Sequence, residues 1–519
     1  MGLAGPFGFS NGLNAKTTVF NGAENQLTAI ENFRYYGGSL YERLCAVNWN
    51  STIINGVGNQ FVQMVAPNNI SVNSANSNPA IVVVDGKIYK ITPSGVATDI
   101  SGATTFGSGS QQSYSNADIL NGRIVIGDPS GSGGAMATWN DTGNATMLTS
   151  PQCNVVRSVN NFMFAMDCAA TANSRVYWSN VADPTSWNGS NNYIDFRPGD
   201  GDQVVDIHYI GTDLYIFKRR SIGRLSTLTV EISGAVSLGP LTTSYVGIGA
   251  AGPGCVDKLP DGRLIFSGSD NHAYILDGSS VTDISDQQDF LSNVQPLADA
   301  FAPATGANSA RVCVYPPRNE AWFIYTNSPI SSGNPWDRAL IYNYKQNIWS
   351  YFTFGVGTVT TGNERCEYIK YIPNIGFSST FGALGKFGLI GNLFGGYGGY
   401  LMVHDPATAG GSLGANMSWS VSLRLSGEAR TFIPRSAIIP FKCASTPGSA
   451  SFVVQVAFDG GSYSTAKTIT PTTSYQRAQI PISVPSSGFQ TIQIKIVSGS
   501  AAGAGTLFEP FFLSDEVVI

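Results

Sequence analysis

The sequence predicts an all-β protein: a β-propeller of about six or seven blades, with a C-terminal β-sandwich and a short N-terminal arm. Three observations predict it. Turn residues followed by short apolar runs recur at roughly 40–55 residues, the spacing of propeller blades. No segment carries sustained helical periodicity. Near the C-terminus the pattern changes to strict apolar–polar alternation, the mark of a half-buried antiparallel sheet.

Residues 1–44 read as the arm. Within it, Leu27, Ile30 and Phe33 stand at spacing three, which predicts one short helix over 24–33. Residues 45–405 read as the propeller. Ile81–Val84, Asp85-Gly86 and Lys87–Ile91 form a hairpin pattern with a type I′ turn signal. Further turn-then-strand units begin at Asn121-Gly122, Asn160-Asn161, Gly211-Thr212-Asp213, Pro260-Asp261-Gly262 and Asn319-Glu320. No WD dipeptide or kelch glycine pair recurs at fixed phase. Residues 406–415 are rich in Gly, Ala, Ser and Thr and read as a linker. Residues 416–519 read as the sandwich. There Trp419, Val421, Leu423 and Leu425 alternate with polar residues, as do Phe452, Val454, Val456 and Phe458, and Ile492, Ile494 and Ile496.

Composition narrows the function classes. Of the 519 residues only 12% are charged, about half the usual share. Ser51 to Val84 contains no charge at all. Aromatics at 11% argue against disorder. Such neutral surfaces suit burial against neighbours, because charge is depleted in interface cores. The net charge of −5 excludes a basic nucleic-acid binder. The seven cysteines (Cys45, Cys153, Cys168, Cys255, Cys313, Cys366 and Cys443) are odd in number and lack C-x-x-C spacing. They read as free thiols of a reducing compartment. The N-terminus has no signal-peptide pattern. The most apolar window, 387–403, is broken by glycines and reads as strands, with no membrane-spanning segment.

Literal enzyme patterns fail their context. Gly410–Gly414 matches G-x-S-x-G, but sits in the linker with no helix following. Gly247–Gly252 matches G-x-G-x-x-G, but Pro253-Gly254 stops the helix that would hold a pyrophosphate. The three histidines, His208, His272 and His404, stand alone in strand-like stretches. Asp200-Gly201-Asp202, with Asp206 beyond, has spacing compatible with Ca²⁺ but lacks the distal carboxylate. It reads as a solvated turn. The sequence therefore predicts no catalytic, metal or cofactor site, and no enzyme. Lys218-Arg219-Arg220 is the one basic run; it is the candidate for touching DNA phosphates, though it reads better as a solvated strand end.

The segment Arg175-Val176-Tyr177-Trp178-Ser179-Asn180-Val181-Ala182-Asp183-Pro184-Thr185-Ser186-Trp187 resembles the "WS…DP…W" segment of bacteriophage tail nozzle proteins, also called tail tubular protein B or head-to-tail stabilisation proteins. Pro198–Asp202, Ile216–Ile222, Asp270–Gly278 and Ala339–Ser350 follow in the family's order, and Ile30–Phe33 with Gly37-Gly38 and Arg43 resembles its opening. Leu44-Cys45 stands where the family often has Pro or Gly. The resemblance covers roughly residues 20–405, and gives Trp178, Asp183, Pro184 and Trp187 a structural role in a blade corner. It implies a structural virion protein of the phage tail, assembled in the host bacterial cytoplasm. The subunit would form a homo-oligomeric, hexameric ring that retains packaged DNA and conducts it during ejection. Its partners would be tail adaptor or portal-proximal proteins, tail fibres and viral DNA held by weak contacts. The alternative is a receptor- or glycan-binding propeller at the tail tip or fibre attachment, with Phe394, Tyr397 and Tyr400 as stacking platforms.

Overall fold

A computed structural model describes residues 3–7, 9, 27–36, 38–42, 47–48, 54, 62–65, 80–84, 86–92, 95–103, 106, 116–128, 135–168, 173–226, 228–230, 236–239, 241–270, 272–285, 311–325, 338–353, 368–372, 386–393, 397–403, 418–424, 434–443, 451–470, 472–487, 489–498 and 506–514. Among the described residues the protein is built of strands, with a short 3₁₀ turn at Pro316–Arg318. Seven successive antiparallel sheets of four or five strands appear among the described residues. Their first strands are Val62–Val65, Ala117–Leu120, Cys153–Val159, Val204–Ile210, Val256–Lys258, Arg311–Tyr315 and Tyr368–Ile372. Blades 1 to 7 are named in that order. From blade 2 to blade 7, and from blade 7 back to blade 1, each first strand lies against the next. These strands therefore surround the propeller axis.

The turn residues explain why these hairpins close. Asn121 and Gly122 both hold positive φ (49° and 73°), as do Asn160 and Asn161 (48° and 63°). Type I′ turns demand this, and Asn and Gly tolerate it best. Between blades the packing is apolar. Phe162, Phe164 and Trp178 of blade 3 meet Ile207 and Ile216 of blade 4. Phe217 of blade 4 meets Phe266 of blade 5 edge-on at 5.4 Å. Each such buried side chain contributes about 1.5–3 kcal/mol. Blade 7 is completed by Val47–Asn48, which pairs with Tyr397–Val403 from the far end of the propeller sequence. The ring is thus closed by hydrogen bonds between sequence-distant strands.

The expected N-terminal arm is instead part of the sandwich sheets. Leu27–Glu31 is the edge strand of a sheet ordered onward through Ser418–Arg424, Thr491–Ser498, Phe452–Phe458 and Ser464–Ile469. Leu3–Phe7, Phe33–Tyr36 and Ser39–Glu42 join the facing sheet. The helix expected over 24–33 is absent over 27–33, and the reason is local. A register shift between Leu27 and Ala29 turns both Leu27 and Ile30 inward, producing spacing three within a strand. Asn32, at φ 60°, then separates the two strands. The sandwich core centres on Trp419, packed by Phe9, Phe508 and Phe511 at 5.2–6.2 Å. The alternation over 418–424, 452–458 and 491–498 places Trp419, Val421, Val454, Ile492, Ile494 and Ile496 wholly inside. Residues 406–415 lie outside the described residues.

Asn32 and its neighbours fasten the sandwich to blade 6. The Asn32 amide donates to Thr353 Oγ1 at 2.8 Å and accepts from Thr353 N at 3.0 Å. Arg34 and Glu320 form a buried ion pair at 3.6 Å. Cys153 and Cys168, expected as free thiols, are joined in a disulfide. They are facing partners on adjacent strands of blade 3, with Cα atoms 4.1 Å apart. Cys255, Cys313 and Cys443 are buried. Cys45 and Cys366 lie outside the described residues.

Candidate functional site

Residues singled out in the sequence take structural places. Lys218, expected to face DNA, is fully buried. It donates to Asp200 Oδ1 at 2.7 Å, the Arg197 carbonyl at 2.9 Å and Ser174 Oγ at 3.1 Å. No phosphate can reach it. Arg219 is half-buried and Arg220 exposed. The Asp200-Gly201-Asp202 turn grips the same corner, because Asp202 accepts from Arg219 N and Arg220 N. Gly249 lies where a Cβ would meet the Lys218 carbonyl at 2.2 Å, so its glycine serves close backbone approach. Gly410–Gly414, Phe394 and His404 lie outside the described residues, as do the side chains of Tyr397 and Tyr400.

The segment around Trp178 forms a hairpin of blade 3. Trp178 and Pro184 are buried, Trp187 half-buried and Asp183 exposed. Asp183 Oδ1 accepts from Thr185 N and Oγ1, and the Trp187 indole donates to the Pro184 carbonyl at 2.8 Å. Ala182 N donates to Asn161, and the Asn121 amide of blade 2 donates to Ala182 O at 3.1 Å. The hairpin thus ties blade 3 to the turn of blade 2. It offers no reactive group.

A Ser–His–Asp set occurs on blade 5, and its geometry argues against a catalytic triad. Asp283 and Ser285 both contact Nδ1 of His272, at 2.6 and 3.1 Å. A relay needs the carboxylate on one ring nitrogen and the hydroxyl on the other.

The site with chemistry lies on the axis. A cavity of about 260 Å³ is bordered by residues of the first strands of blades 2 to 7. Its charged lining residues are Asp118, Arg157, Asp257, Lys258 and Arg311, with Ser158, His208 and Tyr209 between them. The carboxylates act as staples between blades. Asp118 accepts from its own strand at Ile119 N and from blade 3 at Ser158 N, both at 2.8 Å. Asp257 does the same with Lys258 N and with Val314 N of blade 6, again at 2.8 Å. Asp206 stands just behind the lining, fully buried, and accepts from Ile207 N at 2.9 Å and from Arg157 Nη2 at 3.1 Å. Burial pushes its pKa up, but the charges of Arg157 and His208 outweigh this and hold it at about 2.

Lys258 differs from the other lining charges. Its ammonium rests 3.4 Å above the Tyr209 ring, and among the described residues no carboxylate pairs with it. Burial alone lowers its pKa from the ordinary value. Tyr209 is 39% exposed, a large aromatic left partly bare. The cavity therefore offers N–H and O–H donors from fixed strands, a lysine ammonium that no carboxylate pairs among the described residues, and a partly bare aromatic ring. Sequence reading passed over Asp118, Arg157, Asp257, Lys258, Tyr209 and Arg311. One signal was available: Asp118, Asp206 and Asp257 each stand four or five residues before a turn glycine, at Gly122, Gly211 and Gly262.

No helix among the described residues is long and apolar enough to cross a membrane. No group of metal-ligating side chains occurs among the described residues. No family model matches the chain, and no curated protein matches it. Solved structures with similar folds include the WD40 domain of Neurospora crassa Pan2. It is 9% identical, with a TM-score of 0.39, covering 71% of this chain and 97% of that one. An exo-β-1,3-galactanase of Phanerochaete chrysosporium is 13% identical, with a TM-score of 0.27, covering 75% and 99%. PorZ, a bacterial surface component of the type-IX secretion system of Porphyromonas gingivalis, is 12% identical, with a TM-score of 0.28 over 68% of this chain. The chain spans only 43% of PorZ.

Proposed function

We propose that this chain is a recognition module, which takes one sugar residue of a glycan or receptor into its axial cavity and holds it without cleaving it. The observation that carries this reading is Lys258, a partly desolvated cation set in the cavity with an aromatic ring but no carboxylate. Its ammonium lies on the cavity wall, partly desolvated, where the acceptor of a ligand can meet it. The lining is pre-organised, because the Asp118 and Asp257 staples fix the strands that carry it. Binding then spends little on ordering the site. Hydrolysis is less well supported. A glycosidase acid needs a carboxyl whose pKa is raised, whereas Asp206 is held at about 2. The oxygens of Asp118 and Asp257 are already engaged by peptide N–H groups. The Cys153–Cys168 bond supports work in oxidising surroundings.

The test is a glycan array probed with the full chain, followed by titration of any hit against Ser158→Trp, which fills the cavity. Binding without product, lost in that variant, is the expected result. Turnover of the glycan, or binding unchanged by the variant, overturns the reading.

A second reading, a tail-nozzle subunit of a phage virion, keeps the order of the segments from 175 to 350 as its support. In it Arg219 and Arg220 remain as DNA-facing residues, while Lys218 is removed by burial. Mass spectrometry of purified virions and negative-stain images of the protein test it. A virion protein in a ring supports it, and a monomer absent from virions overturns it.

A further inference from the structure

We infer that the ligand of the axial cavity is a carboxylate-bearing monosaccharide unit, a hexuronic acid or a sugar acid of similar size, with Lys258 receiving the carboxylate. This rests on the recognition reading and names its ligand class.

Size comes first. The cavity of about 260 Å³ falls just below the roughly 300 Å³ at which pockets for drug-sized molecules begin. It admits one sugar ring and excludes a peptide helix or a folded loop.

Charge comes next. The lining carries three cations, Arg157, Lys258 and Arg311, and two carboxylates, Asp118 and Asp257. Arg157 is balanced from behind by Asp206. Arg311 donates to the Pro253 carbonyl at 2.9 Å. The two lining carboxylates accept peptide N–H bonds that join neighbouring blades. Among the described residues, the Lys258 ammonium meets the Tyr209 ring and no carboxylate. An ammonium has three donors and no acceptor, so its complement is an acceptor-rich anion. Arg157 and Arg311 share the wall, but Asp206 and the Pro253 carbonyl already engage them, so Lys258 is the cation offered to a ligand, and one such charge suits a monoanion better than a phosphate, which favours bidentate arginine.

The rest of the ligand follows from its neighbours. Tyr209, 39% exposed and in the lining, leaves part of its ring bare for the C–H groups of a sugar. Ser158 on the wall presents a hydroxyl to the ring hydroxyls. Lys258 and Tyr209 come from adjacent blades, so the ligand would bridge blades 4 and 5 where the first strands meet.

Calorimetric titration with galacturonate, glucuronate and galactose tests this on the full chain. The wild type should bind a uronate at least about tenfold tighter than galactose. Lys258→Gln should lose that preference and Lys258→Arg should keep most of it, with unchanged melting midpoints as a check on folding. Equal binding of galactose and uronates, abolished by Ser158→Trp, overturns the acidic class and leaves the recognition reading standing. Binding that Ser158→Trp does not affect, or no binding of any sugar, overturns both.

Discussion

Replacing Asp206 by Asn tests the claim that the axial carboxylates hold the propeller together. The Asp206 carboxylate is fully buried, 3.1 Å from Arg157 Nη2 and 3.6 Å from His208 Nε2. Its pKa is held at about 2, against 3.8 for an ordinary aspartate. That gap corresponds to about 2 kcal/mol of stability. Because the folded pKa lies below the unfolded one, the contribution is fully present above about pH 4 and fades as pH falls towards about 2. Asp206→Asn removes it at neutral pH, and also removes the negative charge facing Arg157. The expected total cost is about 3 kcal/mol, the low end for breaking a buried pair. Near-UV circular dichroism during heating, for both proteins from about pH 6 to about pH 2, reads this as a melting-point gap of several degrees. The gap should narrow at the acid end as the wild type loses its advantage. A gap that is absent at neutral pH, or constant down to the acid end, refutes the reasoning.

Three other substitutions follow from the packing. Lys218→Met removes three hydrogen bonds, to Asp200, the Arg197 carbonyl and Ser174, and should destabilise the protein by about 1–3 kcal/mol in thermal unfolding, because the Asp200 left behind is exposed. The same variant should leave DNA retention on a filter unchanged, since the ammonium is out of reach. Asn32→Ala loses two hydrogen bonds to Thr353 and strains a residue at φ 60°. About 2–3 kcal/mol of stability should go, and Asn32→Gly should recover the backbone part, as denaturant midpoints will report. Cys153→Ser opens a link spanning 15 residues and should cost about 3 kcal/mol under non-reducing conditions, an effect that dithiothreitol should reproduce in the wild type.

The fold was legible where local chemistry decides it. Asn-Gly, Asn-Asn and Asp-Gly turns announced their hairpins, and alternation around Trp419 and Ile494 announced the sandwich. What stayed hidden is non-local. Val47–Asn48 is too short to carry a pattern, yet it closes blade 7. Leu27, Ile30 and Phe33 imitate a helix because a bulge shifts the strand period. The arm shows no sign in its residues that it pairs with strands nearly 400 positions away. The cysteine count pointed to free thiols, because sequence does not show that Cys153 and Cys168 face each other across a hairpin.

The axial site was the least legible part. Lys258 follows an ordinary strand aspartate and sits beside no motif, and Tyr209 lies 49 residues earlier on another blade. The basic run at 218–220 drew attention because its charges are contiguous. Folding buries the first of them and turns the run into a hairpin corner. Contiguity in sequence is a poor guide to a propeller axis, since the axial cavity collects one to three strand residues from each of blades 2 to 7.

The most direct test is a crystal structure of the full chain soaked with the tightest glycan found on the array. The account predicts an intact sugar in the axial cavity, its carboxylate on Lys258 and its ring against Tyr209. A sugar bound on the sandwich, a cleaved product, or a cavity that stays empty at saturating glycan would contradict it.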